Sequence, residues 1–211
     1  IWAHAFDYNL FLQLQGQNRK KNTIVFIDTG LTGSNPDFSM FNAKAFATKE
    51  NHRISMDRVF STLEKHFSAS IIIAGHPKVN YEKEPHPFGQ REVYIGKTSE
   101  LIRDCRIVVS NGSTADNLAV LWRKPLLLIT TNEIEGSVQK SFLNATADLL
   151  GTQTINADDC LDNIDWSSIS QKPITNYDNF RNKLIKKDGT PEKNSWIILI
   201  EFLKREKENH K

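Results

Sequence analysis

The stretch Thr23-Ile24-Val25-Phe26-Ile27-Asp28 decides the fold. A run of β-branched and aromatic residues ends abruptly at an acid, and Gly30, Gly33, Ser34, Asn35 and Pro36 follow as turn formers. A strand wetted on one face alternates polar and apolar residues. An unbroken apolar run belongs to a strand buried on both faces, as in a parallel sheet covered by helices. The same grammar recurs at Ser70-Ile71-Ile72-Ile73-Ala74, which is stopped by Gly75-His76-Pro77, and at residues 93–95, 106–109, 125–130 and 152–155. Helical spacing fills the intervals. Met56, Val59, Phe60, Leu63 and Phe67 predict a helix over 54–67, and further helices are expected at 98–104, 113–122 and 139–150. A polar, proline-containing loop covers 78–92. The alternation predicts an α/β fold: a doubly wound, mostly parallel Rossmann-like sheet over residues 23–156.

Two segments flank this unit. Residues 1–22 carry Trp2, Phe6, Tyr8, Phe11 and Leu12 and begin at Ile1 rather than Met, so they read as a segment entering from a preceding N-terminal domain. Residues 157–211 read as an acidic loop with Asp158, Asp159, Asp162 and Asp165, then helices over 176–187 and 195–207 that pack on the sheet. The break between those helices is Asp188-Gly189-Thr190-Pro191.

Composition excludes several classes. With 211 residues, 39% hydrophobic, the chain can bury a core without disulfides or metal. A net charge of +2 is too balanced for a protein that binds nucleic acid by neutralising phosphates. The apolar runs Leu126 to Ile129 and Ile197 to Ile200 are too short to span a bilayer. Cys105 and Cys160 have no C-x-x-C spacing, which fits a reducing compartment with each a small buried group. Gly96-Lys97-Thr98 resembles the end of a P-loop, but Arg91 stands where its first glycine must be. The sequence holds no G-x-G-x-x-G after the first strand and no H-E-x-x-H, G-x-S-x-G or D-x-D. The acidic run lacks metal-loop spacing and reads as solvated, so no metal site is expected. His52, His66 and His86 read as structural or surface residues, and Arg19-Lys20-Lys21 and Lys204-Arg205 as solvated faces.

Ligands of open α/β sheets bind beyond the carboxyl ends of the strands, and the remaining candidates fall there. In Gly75-His76-Pro77-Lys78, Gly and Pro fix the backbone, and His76 and Lys78 offer donors that can neutralise a phosphate or protonate a leaving oxygen; the alternative is a plain strand-ending turn. In Ser110-Asn111-Gly112-Ser113-Thr114, hydroxyls and N–H groups precede a helix, an anion site in Gly112, Ser113 and Thr114. The rival reading there is a capping box between Ser113 and Asp116. Lys97 and Thr98 open a short helix with the same two readings. Asp28, ending the first strand, is a candidate base or hydroxyl acceptor, or a turn former.

The order of these motifs is familiar. With Ile1 to Tyr8, Val25 to Asp28, Ala74 to Tyr81, Gly96 to Leu101, Ser113-Thr114-Ala115 and Ala119 to Pro125, the chain resembles bacterial surface-polysaccharide biosynthesis proteins. It is similar to the C-terminal half of their glycosyltransferase-B type, in the sialyl- and Kdo-transferase-like group with a His-Pro motif and a downstream Ser/Thr motif. The resemblance covers residues 1–135. It implies a donor-binding domain that moves a sugar from a CMP- or UDP-linked donor to a glycan or lipid-linked acceptor without a resident cofactor. His76 and Lys78 would contact the donor phosphate or assist the leaving nucleotide. Ser113 and Thr114 would hold phosphate oxygens, and Lys97 and Thr98 would line the pocket. Asp116 after the Ser-Thr pair and Gly30 and Gly33 after Asp28 depart from the pattern. The family's catalytic base commonly lies on an N-terminal domain, and the location implied is cytoplasmic, at the inner face of the cytoplasmic membrane. A nucleotide-sugar epimerase of the same architecture and a non-catalytic nucleotide- or phosphosugar-binding module are the alternatives.

Overall fold

A computed structural model describes residues 2–17, 19–82, 87–171 and 176–209; His86 lies outside the described residues. The chain runs through α1 (Phe6–Leu14), β1 (Thr23–Ile27), α2 (Pro36–Met40), α3 (Lys49–Phe67), β2 (Ser70–Gly75), β3 (Val93–Ile95), α4 (Thr98–Asp104) and β4 (Ile107–Ser110). It continues through α5 (Asp116–Leu121), β5 (Leu126–Thr130), α6 (Asn132–Glu135), α7 (Val138–Leu150), β6 (Thr154–Asn156), α8 (Trp166–Gln171), α9 (Tyr177–Phe180) and α10 (Ser195–Asn209). The strands form one parallel sheet in the order β3-β2-β1-β4-β5-β6. It is a doubly wound, Rossmann-like α/β fold.

The apolar runs are continuous because both faces are covered. Ile24, Phe26, Ile71, Ile73, Ile107 and Val109 pack on one side with Met56, Val59, Phe60 and Leu63 of α3. Val25, Ile27, Ala74, Val108 and Leu128 pack on the other with Ile102 of α4, Leu118 of α5 and Leu143 of α7. Phe26 has no exposed surface and meets Phe60 and Phe88 edge to face at centroid distances of 5.0 and 5.5 Å. Aromatic pairs in this geometry add to the burial term.

Local chemistry explains where the expected boundaries shift. α3 starts at Lys49, a turn and a half before the expected Ile54, because the Thr48 hydroxyl accepts from Asn51 N–H at 3.4 Å and caps the helix. Glu133 locks that cap, accepting from Thr48 N–H at 2.8 Å. The expected helix over 176–187 is the short α9 followed by a π-helical turn, Arg181–Ile185, with Tyr177, Phe180 and Ile185 buried. The head forms α1, tied to the tail by Ala5 N–H to Ile185 O at 2.7 Å and by paired Asn9–Ser195 bonds of 2.8 Å.

Two readings need correction. Cys105 is buried, and desolvation pushes its thiol up to about 12, but Cys160 is exposed at the end of the β6 turn. Asp158 is not a solvated acid: it accepts from Ser55 Oγ at 2.5 Å and from Asn132 N–H at 2.7 Å, holding α3 to α6. Among the described residues, no helix is long and apolar enough to cross a membrane.

Phe26→Ala should destabilise the fold by about 3–5 kcal/mol, read as a lower urea midpoint. A loss under about 1 kcal/mol would contradict the central place of β1 in the core.

Candidate functional site

β1 and β4 are adjacent, yet the chain leaves β1 toward β2 and β4 toward β5. Their outgoing connections diverge, which opens a crevice at the carboxyl ends of the strands. A cleft of about 470 Å³ lies there, lined by Asp28 to Leu31, Gly75 to Pro77, Thr98, Gly112 to Ala115 and Gln139. That volume suits a small-molecule ligand. Of the sequence-derived candidates, Asp28, His76, Thr98, Gly112, Ser113 and Thr114 converge on it from beyond the carboxyl ends of four strands, β1 to β4.

Asp28 is buried, and both carboxylate oxygens are engaged. One accepts from Gly30 N–H at 2.9 Å; the other takes a short hydrogen bond from the Tyr81 phenol. Tyr81 Oη in turn accepts from His76 N–H at 2.6 Å. Burial, with the Asp28 charge beside it, pushes the Tyr81 phenol well above its ordinary value, so it remains a donor. This chain of bonds joins the end of β1 to the end of β2.

The His76 ring is half-buried and is oriented by a turn: Lys78 N–H donates to its Nδ1 at 3.3 Å. An accepting Nδ1 leaves the ring proton on Nε2, which no hydrogen bond reaches among the described residues. Gly30 packs beneath this ring. Its φ is +63°, and a Cβ there would sit 3.3 Å from His76 Cγ. Pocket and ring both depend on that missing side chain.

The lysines behave differently. Lys78 Nζ reaches both oxygens of Asp37 at 2.8 Å and so ties the β2 turn to α2. Lys97 stands exposed, just before α4, and does not line the cleft.

At the end of β4, Gly112 adopts φ +88°, and a Cβ would lie 2.7 Å from Gln139 Nε2 and 2.9 Å from Phe142 Cδ1. Only glycine fits. Gln139 secures the turn by donating to Asn111 O at 2.6 Å and Gly112 O at 2.7 Å. Asn111 Nδ2 donates to Ile129 O at 2.7 Å, which leaves Oδ1 to accept from His52 Nε2 at 3.3 Å. Burial lowers the His52 pKa and keeps the imidazole neutral, against the pull of Asp28. His52 thus supports the β4 turn, one of the histidines expected as structural or surface residues.

Half of the capping box between Ser113 and Asp116 is realised, and α5 itself starts after Ala115 without a side-chain cap. Asp116 Oδ2 accepts from Ser113 N–H at 3.1 Å, and Ser113 Oγ accepts from Ala115 N–H at 3.1 Å. Ser110 Oγ takes Gly112 N–H at 3.0 Å. Most N–H groups before α5 are therefore spent, and the cleft is offered hydroxyls rather than a bare helix end. Full burial pushes the Asp116 carboxyl up to about 7. Ser113 N–H and the nearby Ser110 hydroxyl offset only part of this, and Oδ1 has no hydrogen bond among the described residues. A raised carboxyl pKa favours the neutral form, which softens its repulsion of any anion in the cleft.

Tyr81, Asn111 and Gln139 are the supporting residues that sequence reasoning passed over. Asn111 and Tyr81 sit inside stretches already singled out, with no role read for either. Tyr81 and Gln139 act through partners 53 and 28 or fewer positions away, with no spacing signal to mark them.

Because the folded state holds the Asp116 proton more tightly than the unfolded chain, stability should fall as pH rises from about 4 to about 7. The cost is fully present above that window, on the order of 4 kcal/mol at most. Asp116→Asn should therefore raise the unfolding midpoint at pH 8, change it little at pH 4, and flatten the profile between. An Asn variant no more stable at pH 8 than the parent would sink this assignment. Comparison with protein-family models and with curated proteins returns no match to this chain.

Proposed function

We propose that the chain is the donor-binding unit of a glycosyltransferase. It would move a sugar from a CMP- or UDP-linked donor to a glycan or lipid-linked acceptor of a bacterial surface polysaccharide, at the cytoplasmic face of the membrane. One observation carries the reading: His76, Thr98, Ser113 and Thr114, far apart in sequence, line one cleft where the strand order reverses.

The chemistry follows from the donors at hand. Negative charge grows on the departing phosphate as the glycosidic bond breaks, and groups aimed at that oxygen lower the barrier. His76 Nε2–H points from a ring already fixed by the Lys78 N–H and by Gly30, so little ordering is left to do when the donor arrives. The hydroxyls of Thr98, Ser113 and Thr114 supply neutral donors to the remaining oxygens. Lys78 is the reserve cation. Its pair with Asp37 is half-exposed and of the kind worth roughly 0–1 kcal/mol, so a phosphate can draw it away at small cost.

The binding-only alternative has its own support: nearly all N–H groups before α5 are satisfied internally, and no lysine or arginine lines the cleft. Such a module would bind a nucleotide and transfer nothing. An epimerase would convert the free nucleotide sugar with no acceptor present.

Thermal shift with CMP, UDP and GDP tests the reading. At a hundredfold excess over Kd, the preferred nucleotide stabilises by about 2.7 kcal/mol, a rise of roughly 5–10 °C. His76→Ala should lose most of that rise while its ligand-free midpoint stays near the parent's, and it should abolish sugar transfer. No response to any of the three nucleotides, or full transfer by His76→Ala, would remove the proposal.

A further inference from the structure

Behind the Asp28–Gly30 segment lies a second cavity of about 390 Å³, which shares only those two residues with the cleft already described. Its walls come from the loop after β1, the first two turns of α3, and Val79, Asn80, Pro87 and Phe88 after β2. Thr32, Ser34, His52, Asn80 and Phe88 face it, with Asp28 at the junction.

The polar groups on these walls are fixed, and they alternate in kind. His52 is held with Nε2 toward Asn111, so Nδ1 presents a lone pair, and no hydrogen bond reaches it among the described residues. Asn80 Oδ1 accepts from Glu82 N–H at 2.9 Å, which leaves its amide N–H groups as donors. Ser34 gives its backbone N–H to Thr32 Oγ1 at 3.4 Å and keeps its hydroxyl free among the described residues. The charges cancel: Asp28 and Glu50 stand against Lys49 and Arg53, and Arg53 is already paired with Glu50 at 2.8 Å. A phosphate or an acidic ligand finds no net attraction in such a chamber. A hydrocarbon would strand its fixed polar groups, each at the cost of an unmade hydrogen bond. Vicinal hydroxyls, each both donor and acceptor, match mixed groups at fixed positions.

We infer that this chamber receives an uncharged pyranose ring. The inference rests on the proposed function for its context, a phosphate cleft next door across Asp28, but its binding chemistry stands apart from it. The ring has two possible sources, the glycosyl unit of the donor or the terminal unit of the acceptor.

Amide NMR of the labelled chain tests the chamber with methyl glycosides of glucose, galactose and N-acetylglucosamine, taken to high millimolar concentration. At least one should shift the amides of Ser34, His52 and Asn80 and leave those of Ser113 and Thr114 in place. Gly33→Leu supplies the blocking variant. Gly33 lines the chamber, its φ is not in the left-handed region, and a Cβ there meets no atom within 4 Å. That variant should weaken glycoside binding by about tenfold or more while the response to CMP, UDP or GDP is unchanged. If the corresponding nucleotide sugar moves both sets of amides and excludes the free glycoside, the ring is the donor's. If glycoside binds alongside the nucleotide sugar, it is the acceptor's. Either result supports the chamber. No shift at Ser34, His52 and Asn80 with any glycoside, or glycoside binding untouched by Gly33→Leu, overturns it. A chain that binds glycosides here and no nucleotide would cost the proposed function and spare this inference.

Discussion

The pairing of β1 with β4 is the constraint on which the rest depends. Ile24 lies opposite Ile107 and Ile27 opposite Ser110, so two strands distant in sequence satisfy each other's backbone groups in a region without water. Each strand is also committed to a second neighbour, β2 on one side and β5 on the other. The chain must therefore leave the two carboxyl ends in opposite directions. The gap between the departing segments is filled by no backbone, and Gly30 and Gly112 keep it free of side chains at the points of tightest approach.

Within that gap, the structure spends its bonding capacity on rigidity. Asp28, Tyr81 and His76 form one chain of hydrogen bonds, and His52, Asn111, Ile129 and Gln139 form another. Both lock loop ends that would otherwise need a ligand to order them. Among the described residues, one imidazole nitrogen, the hydroxyls of Thr98, Ser113 and Thr114 and a surface lysine held by an exchangeable ion pair stand ready as donors. A site of this kind binds through preorganised neutral donors, and its cations are brought in from the rim.

The strands were legible because burial on both faces leaves a short continuous apolar run, and turn formers at its ends separate it from a helical run such as Ile197 to Ile200. Thr23 to Ile27, Ser70 to Ala74 and Leu126 to Thr130 all carry it. The site residues at their ends followed from topology, since any group just past such a strand faces the same edge. Long-range competition was not legible. Nothing near Lys78 announces that Asp37, 41 positions earlier, claims its ammonium. The π-helical turn after α9 reflects the packing of Tyr177, Phe180 and Ile185 against the sheet's helices, which local propensity does not encode. The Ser113–Asp116 bond was readable as one of two options, and it coexists with the other, since Ser113 and Thr114 still line the cleft.

The most direct measurement is a crystal structure of the chain with its preferred nucleotide bound. A phosphate oxygen is expected within about 3 Å of His76 Nε2, with the hydroxyls of Ser113 and Thr114 on its neighbours. A nucleotide ordered elsewhere on the protein, with His76 untouched, would contradict it.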